Sequence, residues 1–198
     1  KLAGMGEVIA TDRNTLDLSQ PEAIKEFIDS IKPDIIINPA AYTAVDKAES
    51  EPELAYQINT IAPKILAEKA SELDIPLIHF STDYVFDGLK KEPYEEMDQA
   101  NPESVYGHTK WEGEEAVRNY KKHIILRTGW AFSSHGHNFL KTMLRLAGER
   151  DSLRVVADQI GVPTPADWLA DISLHVMRAC DQQALNGLYH ATPSGQTH

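Results

Sequence analysis

Residues 76–86 read PLIHFSTDYVF, and after a polar stretch residues 106–114 read YGHTKWEGE. The first run is apolar and sits behind a proline, the pattern of a buried strand, and it ends in Ser81, Thr82 and Asp83. The second carries Tyr106 and Lys110 four residues apart, so on a helix both side chains share a face. A tyrosine alone titrates near about pH 10; a cation beside it stabilises the phenolate and draws the acid toward working pH. With a strand-end hydroxyl to hold a substrate oxygen, this is how a hydride-transferring enzyme assembles a proton donor.

The same alternation runs outward in both directions. Upstream, GEVIATD (6–12) reads as a strand, and LSQPEAIKEFIDSIKPD (18–34) as a helix opened by a capping box of Ser19 and Glu22, with Pro21 in its first turn. Ala23, Ile24, Phe27, Ile28 and Ile31 recur at helical spacing, and Pro33 ends the run. DIIINPAAY (34–42) is a second strand, apolar enough to be covered on both faces, and a long helix follows over 53–73. Downstream come a helix over 106–120, the strand HIILRTGWAF (123–132) and a helix over 138–148. The strand LRVVAD (153–158), a helix over 167–180 and the strand GLYHAT (187–192) complete the chain. Strand and helix taking turns implies right-handed crossovers and a parallel sheet, hence a Rossmann-like, doubly wound α/β fold. Ligands of such sheets bind beyond the carboxyl ends of the strands. Asp12 and Arg13, residues 38–43, 81–83 and 127–130 all fall there. One such group reads equally as a polar loop; four in register do not.

Composition bounds the function. The chain has 198 residues, 42% of them hydrophobic, enough for one real core. Thirty acidic against 19 basic residues give a net charge of −11, which argues against a general nucleic-acid or anionic-membrane binder. Cys180 is the only cysteine, so no internal disulfide forms, and a reducing cytoplasm is the expected setting. No run is apolar and long enough to span a bilayer. His135 and His137 lack a third ligand at metal spacing, so no metal site is expected. A dinucleotide site calls for a glycine-rich turn between the first strand and helix, yet no GxGxxG or GxxGxxG occurs; Gly4 and Gly6 precede a predicted strand. KLAGM (1–5) then reads as the tail of the first helix, with about 20 residues of strand, turn and helix expected before it.

NPAAYTAVDKAESEPELAYQIN (38–59), STDYVFDG (81–88), YGHTKWEGE (106–114), LRTGWAF (126–132) and NFLKTMLRLAGER (138–150) with VVADQIGVPT (155–164) together resemble the dTDP-4-dehydrorhamnose reductases, an extended-type short-chain dehydrogenase/reductase family. YxxxK alone is a weak signal; five segments in this order are a strong one. Pro39, Tyr42 and Gly129 depart from the residues usual there. The resemblance implies reduction of the 4-keto group of dTDP-4-dehydro-L-rhamnose by NADPH or NADH, giving the sugar donor of bacterial surface polysaccharide. It also implies residues 1–132 as the dinucleotide-binding domain and 133–198 mostly as a substrate-binding portion whose last elements return to the sheet. Both ends are expected to continue further in the family.

Carried over, Tyr106 is the general acid, Lys110 binds the nicotinamide ribose and lowers the phenol's pKa, and Thr82 polarises the carbonyl. Asp83 and Trp130 match substrate contacts. Ala41, Tyr42 and Thr43 line the dinucleotide, Asp17 and Leu18 flank its adenine, and Asp12 meets its ribose. An acid there favours NAD, while the adjacent Arg13 suits the 2′-phosphate of NADP, so both cofactors stay open. Pro63 cannot donate to the carbonyl of Asn59, which suggests that this oxygen holds a water leading to Lys110; an ordinary proline kink is the alternative. Asp167 stands where some relatives use a glutamate in magnesium binding at a dimer interface, and one carboxylate does not establish a metal. Lys141, Arg145 and Arg150 serve either a diphosphate or a solvated face. Monomer and homodimer both remain open. A regulatory nucleotide-binding subunit and a nucleotide-sugar epimerase are the competing readings.

Overall fold

The computed structural model describes residues 1–182 and 185–197. Its centre is a parallel sheet of β1 (Ile36–Asn38), β2 (Leu77–Thr82), β3 (His123–Thr128) and β6 (Gly187–His190), in the order β1-β2-β3-β6. Registers place Asn38 beside His79, and Ser81 beside Arg127. Along each strand side chains alternate between faces. Ile36, Leu77 and Ile125 therefore share one face, under α1 (Pro21–Ile31), α4 (Ala62–Leu73) and α5 (Val105–Arg118). Ile78, Ile124 and Leu126 share the other, under α7 (Ala166–Gln182). Helices on both faces explain why these strands read as nearly continuous apolar runs.

The remaining elements sit around this frame. Two short helices, α2 (Val45–Ala48) and α3 (Pro52–Tyr56), follow β1, and a small separate sheet pairs β4 (Ala131–Phe132) with β5 (Thr164–Pro165). Helix α6 (Phe139–Glu149) starts at Asn138, whose side chain accepts the Lys141 N–H. Here Arg145 pairs with Glu149 and Lys141 reaches the Ser134 carbonyl, so this basic row forms an exposed face. Among the described residues, no helix is long and apolar enough to cross a membrane.

Several expectations are corrected. Residues 6–12 form no strand: they find no ladder partner, and Val8 and Ile9 stay exposed. LRVVAD forms none either, with Val155 and Val156 exposed. β-branched content favours a strand only where a neighbour supplies hydrogen bonds. KLAGM holds a single 3-10 turn at Leu2–Gly4. The capping box is absent: Ser19 donates both its N–H and its hydroxyl to Asp17, and Gln20 takes the N-cap position without a side-chain bond. Finally, the helix over 53–73 is interrupted by a π turn at Gln57–Ile61, one turn ahead of Pro63.

Candidate active site

Strand β2 delivers Thr82 to its carboxyl end, where the side chain caps a 3-10 turn over Asp83–Val85 by accepting the Tyr84 N–H. The same hydroxyl donates to Asp83 Oδ1 at 3.0 Å and is near enough to the Tyr106 phenol to favour its ionised form. Helix α5 starts at Ser104, which accepts the Gly107 N–H, so Tyr106 falls in its first turn and packs edge-on against Tyr84 with ring centroids 5.4 Å apart. Lys110 lies one turn on and is buried; its Nζ donates to the Phe80 carbonyl at 2.7 Å and sits 3.5 Å from His79 Nε2. The catalytic candidates Thr82, Tyr106 and Lys110 thus gather at the end of β2, with Asp83 beside them.

Their electrostatics differ from the simple expectation. Burial pushes the Tyr106 phenol up to about 12, with the Thr82 hydroxyl opposing and Asp83 and Tyr84 adding to the rise. Burial pushes Lys110 down to about 8, against the pull of Glu114. Lys110 is not among the groups that shift the phenol, and its Nζ is turned to the Phe80 carbonyl. Asp83 is raised by burial, which the Thr82 hydroxyl and backbone N–H groups partly offset.

Gly129 makes the carboxylate's position possible: a Cβ there would lie 2.3 Å from Asp83 Oδ2. Trp130 adopts a left-handed backbone, φ 47°, uncommon outside glycine. Its indole lies flat on Gly161, where a Cβ would come within 2.6 Å of the ring. The role of Gly161 leaves no local mark in the sequence, since its partner is distant along the chain.

Among the residues expected to meet a dinucleotide, Asn59 is the organiser. Its side chain accepts the Tyr42 N–H at 2.8 Å, donates to the Tyr42 carbonyl at 3.2 Å and donates to Thr109 of α5 at 3.1 Å. Ala41, Tyr42 and Thr43 are thereby tied to the helix carrying Tyr106, and the Tyr42 hydroxyl donates to Glu51 at 2.7 Å. The Asn59 carbonyl lies against Gly113 of α5, where a Cβ would stand 2.1 Å away. Asp12, Arg13, Asp17 and Leu18 form a second group before α1. Asp12 closes its own turn, accepting from Asn14 and Thr15, which holds its carboxyl below the usual range. Arg13 is exposed, 3.9 Å from Asp17, and its charge helps to lower Glu51. Leu18 packs against the first core. Among the described residues, no hydrogen bond or ion pair joins this group directly to Tyr106 or Lys110.

Four further side chains matter. His79 and Asn38 lie beneath Lys110, and Glu114 meets Arg127 in a buried bidentate pair at 2.9 and 2.6 Å. Strand alternation was the available signal for His79, which shares the α5 face with Leu77 and Ser81. Two buried hydroxyls at the carboxyl ends of β2 and β3, Ser81 Oγ and Thr128 Oγ1, have no partner among the described residues. Polar atoms at strand ends fit a nicotinamide dinucleotide. No group of three His, Cys, Asp or Glu side chains gathers to hold a metal among the described residues. The Asp167 carbonyl accepts from Lys1, which also pairs with Asp171.

A parallel sheet covered by helices on both faces, with a tyrosine–lysine pair on the helix beside the end of its second strand, defines a Rossmann-like α/β domain. The chain belongs to the family described as RmlD substrate binding domain, whose model matches residues 1–198. It is 48% identical to the dTDP-4-dehydrorhamnose reductase of Escherichia coli (strain K12) over 202 residues, covering 99% of this chain and 68% of that protein. The crystal structure of a dTDP-4-dehydrorhamnose reductase from Clostridium acetobutylicum superimposes with a TM-score of 0.91 at 44% identity, over 99% of this chain and 69% of that one. The Bacillus anthracis reductase, solved in complex with NADP, gives 0.87 at 38% identity, over 96% and 67%.

Proposed function

We propose that this chain reduces the 4-keto group of dTDP-4-dehydro-L-rhamnose to the alcohol of dTDP-L-rhamnose, with NADPH or NADH as reductant. The reading rests on Thr82, Tyr106 and Lys110 meeting at the end of β2 in a chain nearly half identical to a reductase of that name. When bound, the nicotinamide supplies the hydride. Thr82 turns its hydroxyl proton from Asp83 to the ketone oxygen and polarises it, and Tyr106 gives that oxygen its proton. A phenol held near 12 keeps its proton through the neutral range and yields it to the far more basic alkoxide. Lys110 holds the nicotinamide ribose with the N–H bonds not directed to Phe80. Asp83 and Trp130 bind the sugar nucleotide, one carboxylate poised by Gly129 and one indole fixed by Gly161. Ala41, Tyr42 and Thr43, held in place by the Asn59 side chain, line the dinucleotide path, and Asp12, Arg13, Asp17 and Leu18 its adenosine end.

The test is turnover. The protein given dTDP-4-dehydro-L-rhamnose consumes NADPH or NADH stoichiometrically without any partner protein. Interconversion of the sugar with no net cofactor loss marks an epimerase instead, and activity only on adding a second protein marks a regulatory subunit.

A further inference from the structure

The polarity of one buried chain of hydrogen bonds is fixed by a backbone amide. The Ala40 N–H donates to Asn38 Oδ1 at 3.2 Å, and a backbone N–H only donates. The other end of that amide, Nδ2, therefore faces His79 Nδ1 at 3.1 Å, and Nδ1 must accept. A neutral imidazole that accepts at Nδ1 carries its proton on Nε2. Nε2 faces Lys110 Nζ at 3.5 Å, the outer edge of hydrogen-bond reach.

From this we infer that Asn38 and His79 are positioning residues for Lys110, presenting the Nε2–H of His79 as a donor to the lysine nitrogen. The inference rests on the reading of Lys110 as part of the reductase site. An amine nitrogen meets such a donor with its lone pair while one of its own N–H bonds goes to the Phe80 carbonyl. An ammonium has no lone pair and meets it donor to donor. The relay thus favours the amine and counters the permanent charge expected of a lysine. The other titratable and charged groups around Lys110 are Tyr106 and Glu114 of its own helix and Arg127 of β3, whose charge Glu114 takes up. Complete burial acts in the same direction as the relay, holding Lys110 near 8 and His79 well below the ordinary histidine range. The ring is 0% exposed, so solvent does not compete for either nitrogen.

Two-bond proton–nitrogen correlation spectra of protein carrying isotope-labelled histidine read the tautomer directly, with His79→Gln assigning the signal. The expected pattern at neutral pH is the proton on Nε2. A proton on Nδ1, or a doubly protonated ring, overturns the inference. Asn38→Asp offers a carboxylate to Nδ1–H, moves the ring proton to Nδ1 and turns a lone pair toward Lys110. The Lys110 midpoint, followed through a labelled Cε, then rises by about one pH unit. Asn38→Leu releases the tautomer without adding charge and shifts the midpoint the same way, which separates the relay from a simple Coulomb effect. The matching limb of the kcat profile moves with it, at unchanged KM for the sugar nucleotide. A midpoint unmoved in both variants refutes the relay. None of the magnetic readouts needs turnover, so the expected tautomer in an inactive protein upholds the relay and counts against the reductase reading alone.

Discussion

Burial drives Tyr106 and Lys110 apart in proton affinity, up to about 12 and down to about 8. Each shift carries a prediction. Tyr106→Phe keeps the ring and removes the donor, so kcat falls by roughly 10²–10⁴-fold while dinucleotide affinity stays near that of the parent. Steady-state turnover with a separate cofactor titration checks this, and a variant retaining about a tenth of the activity removes the tyrosine from the mechanism. For Lys110 the consequence is stability. A base whose folded pKa lies below its unfolded value binds fewer protons when folded, so stability rises with pH between about 8 and 10.5. The full window corresponds to roughly 3 kcal/mol, and below about pH 10 Tyr106 does not yet oppose it. Urea unfolding at several pH values shows this rise in the parent and loses it in Lys110→Met; identical slopes contradict a depressed lysine. The tyrosine–lysine spacing and the strand-end threonine were legible because helix and strand periodicities are local. The direction of the shifts was not, since it comes from burial, and burial is set by how α5 packs on the sheet.

Helix α5 is docked unusually close to its neighbours, and glycines allow it. A Cβ on Gly107 would lie 2.3 Å from the Tyr84 carbonyl oxygen, and one on Gly113 would lie 2.1 Å from that of Asn59. Both obstacles are backbone, so neither yields by a side-chain rotation. Alanine ordinarily gains about 1 kcal/mol over glycine in a helix, but here overpacking reverses the sign. Gly107→Ala and Gly113→Ala are each expected to lose about 1–3 kcal/mol, a drop of roughly 2–4 °C in Tm per kcal/mol. Gly148→Ala in α6, with open space around it, is the control and is expected to hold or gain stability. Calorimetry decides, and a Gly113→Ala protein melting with or above the parent would falsify the close packing. Why the sequence concealed this is clear from Pro63. The missing N–H announced a disturbance, yet whether the helix would kink, lose a bond or widen into a π turn depended on α5 pressing against Asn59. The same dependence on partners explains the two failed strands at 6–12 and 153–158. Their composition suits a sheet, but neither pairs with a neighbour in the ladder.

Across the molecule, Arg127 joins parts that are remote in sequence. It rises from β3, pairs with Glu114 of α5 through two hydrogen bonds, and lies with its guanidinium 4.9 Å from the Phe86 ring centre. Phe86 in turn stacks on Tyr94 and meets His190 of β6 edge-on, while Glu96 accepts the His190 N–H. Sheet, active-site helix and the loop beyond Thr82 are thus held by one cation. The order of strands and helices was readable because each element signals itself locally; this junction was not, because Glu114 resembles an ordinary solvated helix residue until α5 is laid on β3. Glu114 is 0% exposed and Arg127 3%, so the pair is desolvated. Removing Arg127 then leaves a buried carboxylate, relieved in part by Arg118 at 3.8 Å and by Lys110. Arg127→Met is expected to cost about 3–5 kcal/mol, whereas Arg127→Met combined with Glu114→Leu recovers most of that loss, since a desolvated pair gains little over apolar contacts of similar volume. A double-mutant cycle in urea measures both numbers. Losses below about 1 kcal/mol in the single variants would show that water reaches the pair and that the three parts are joined by packing alone.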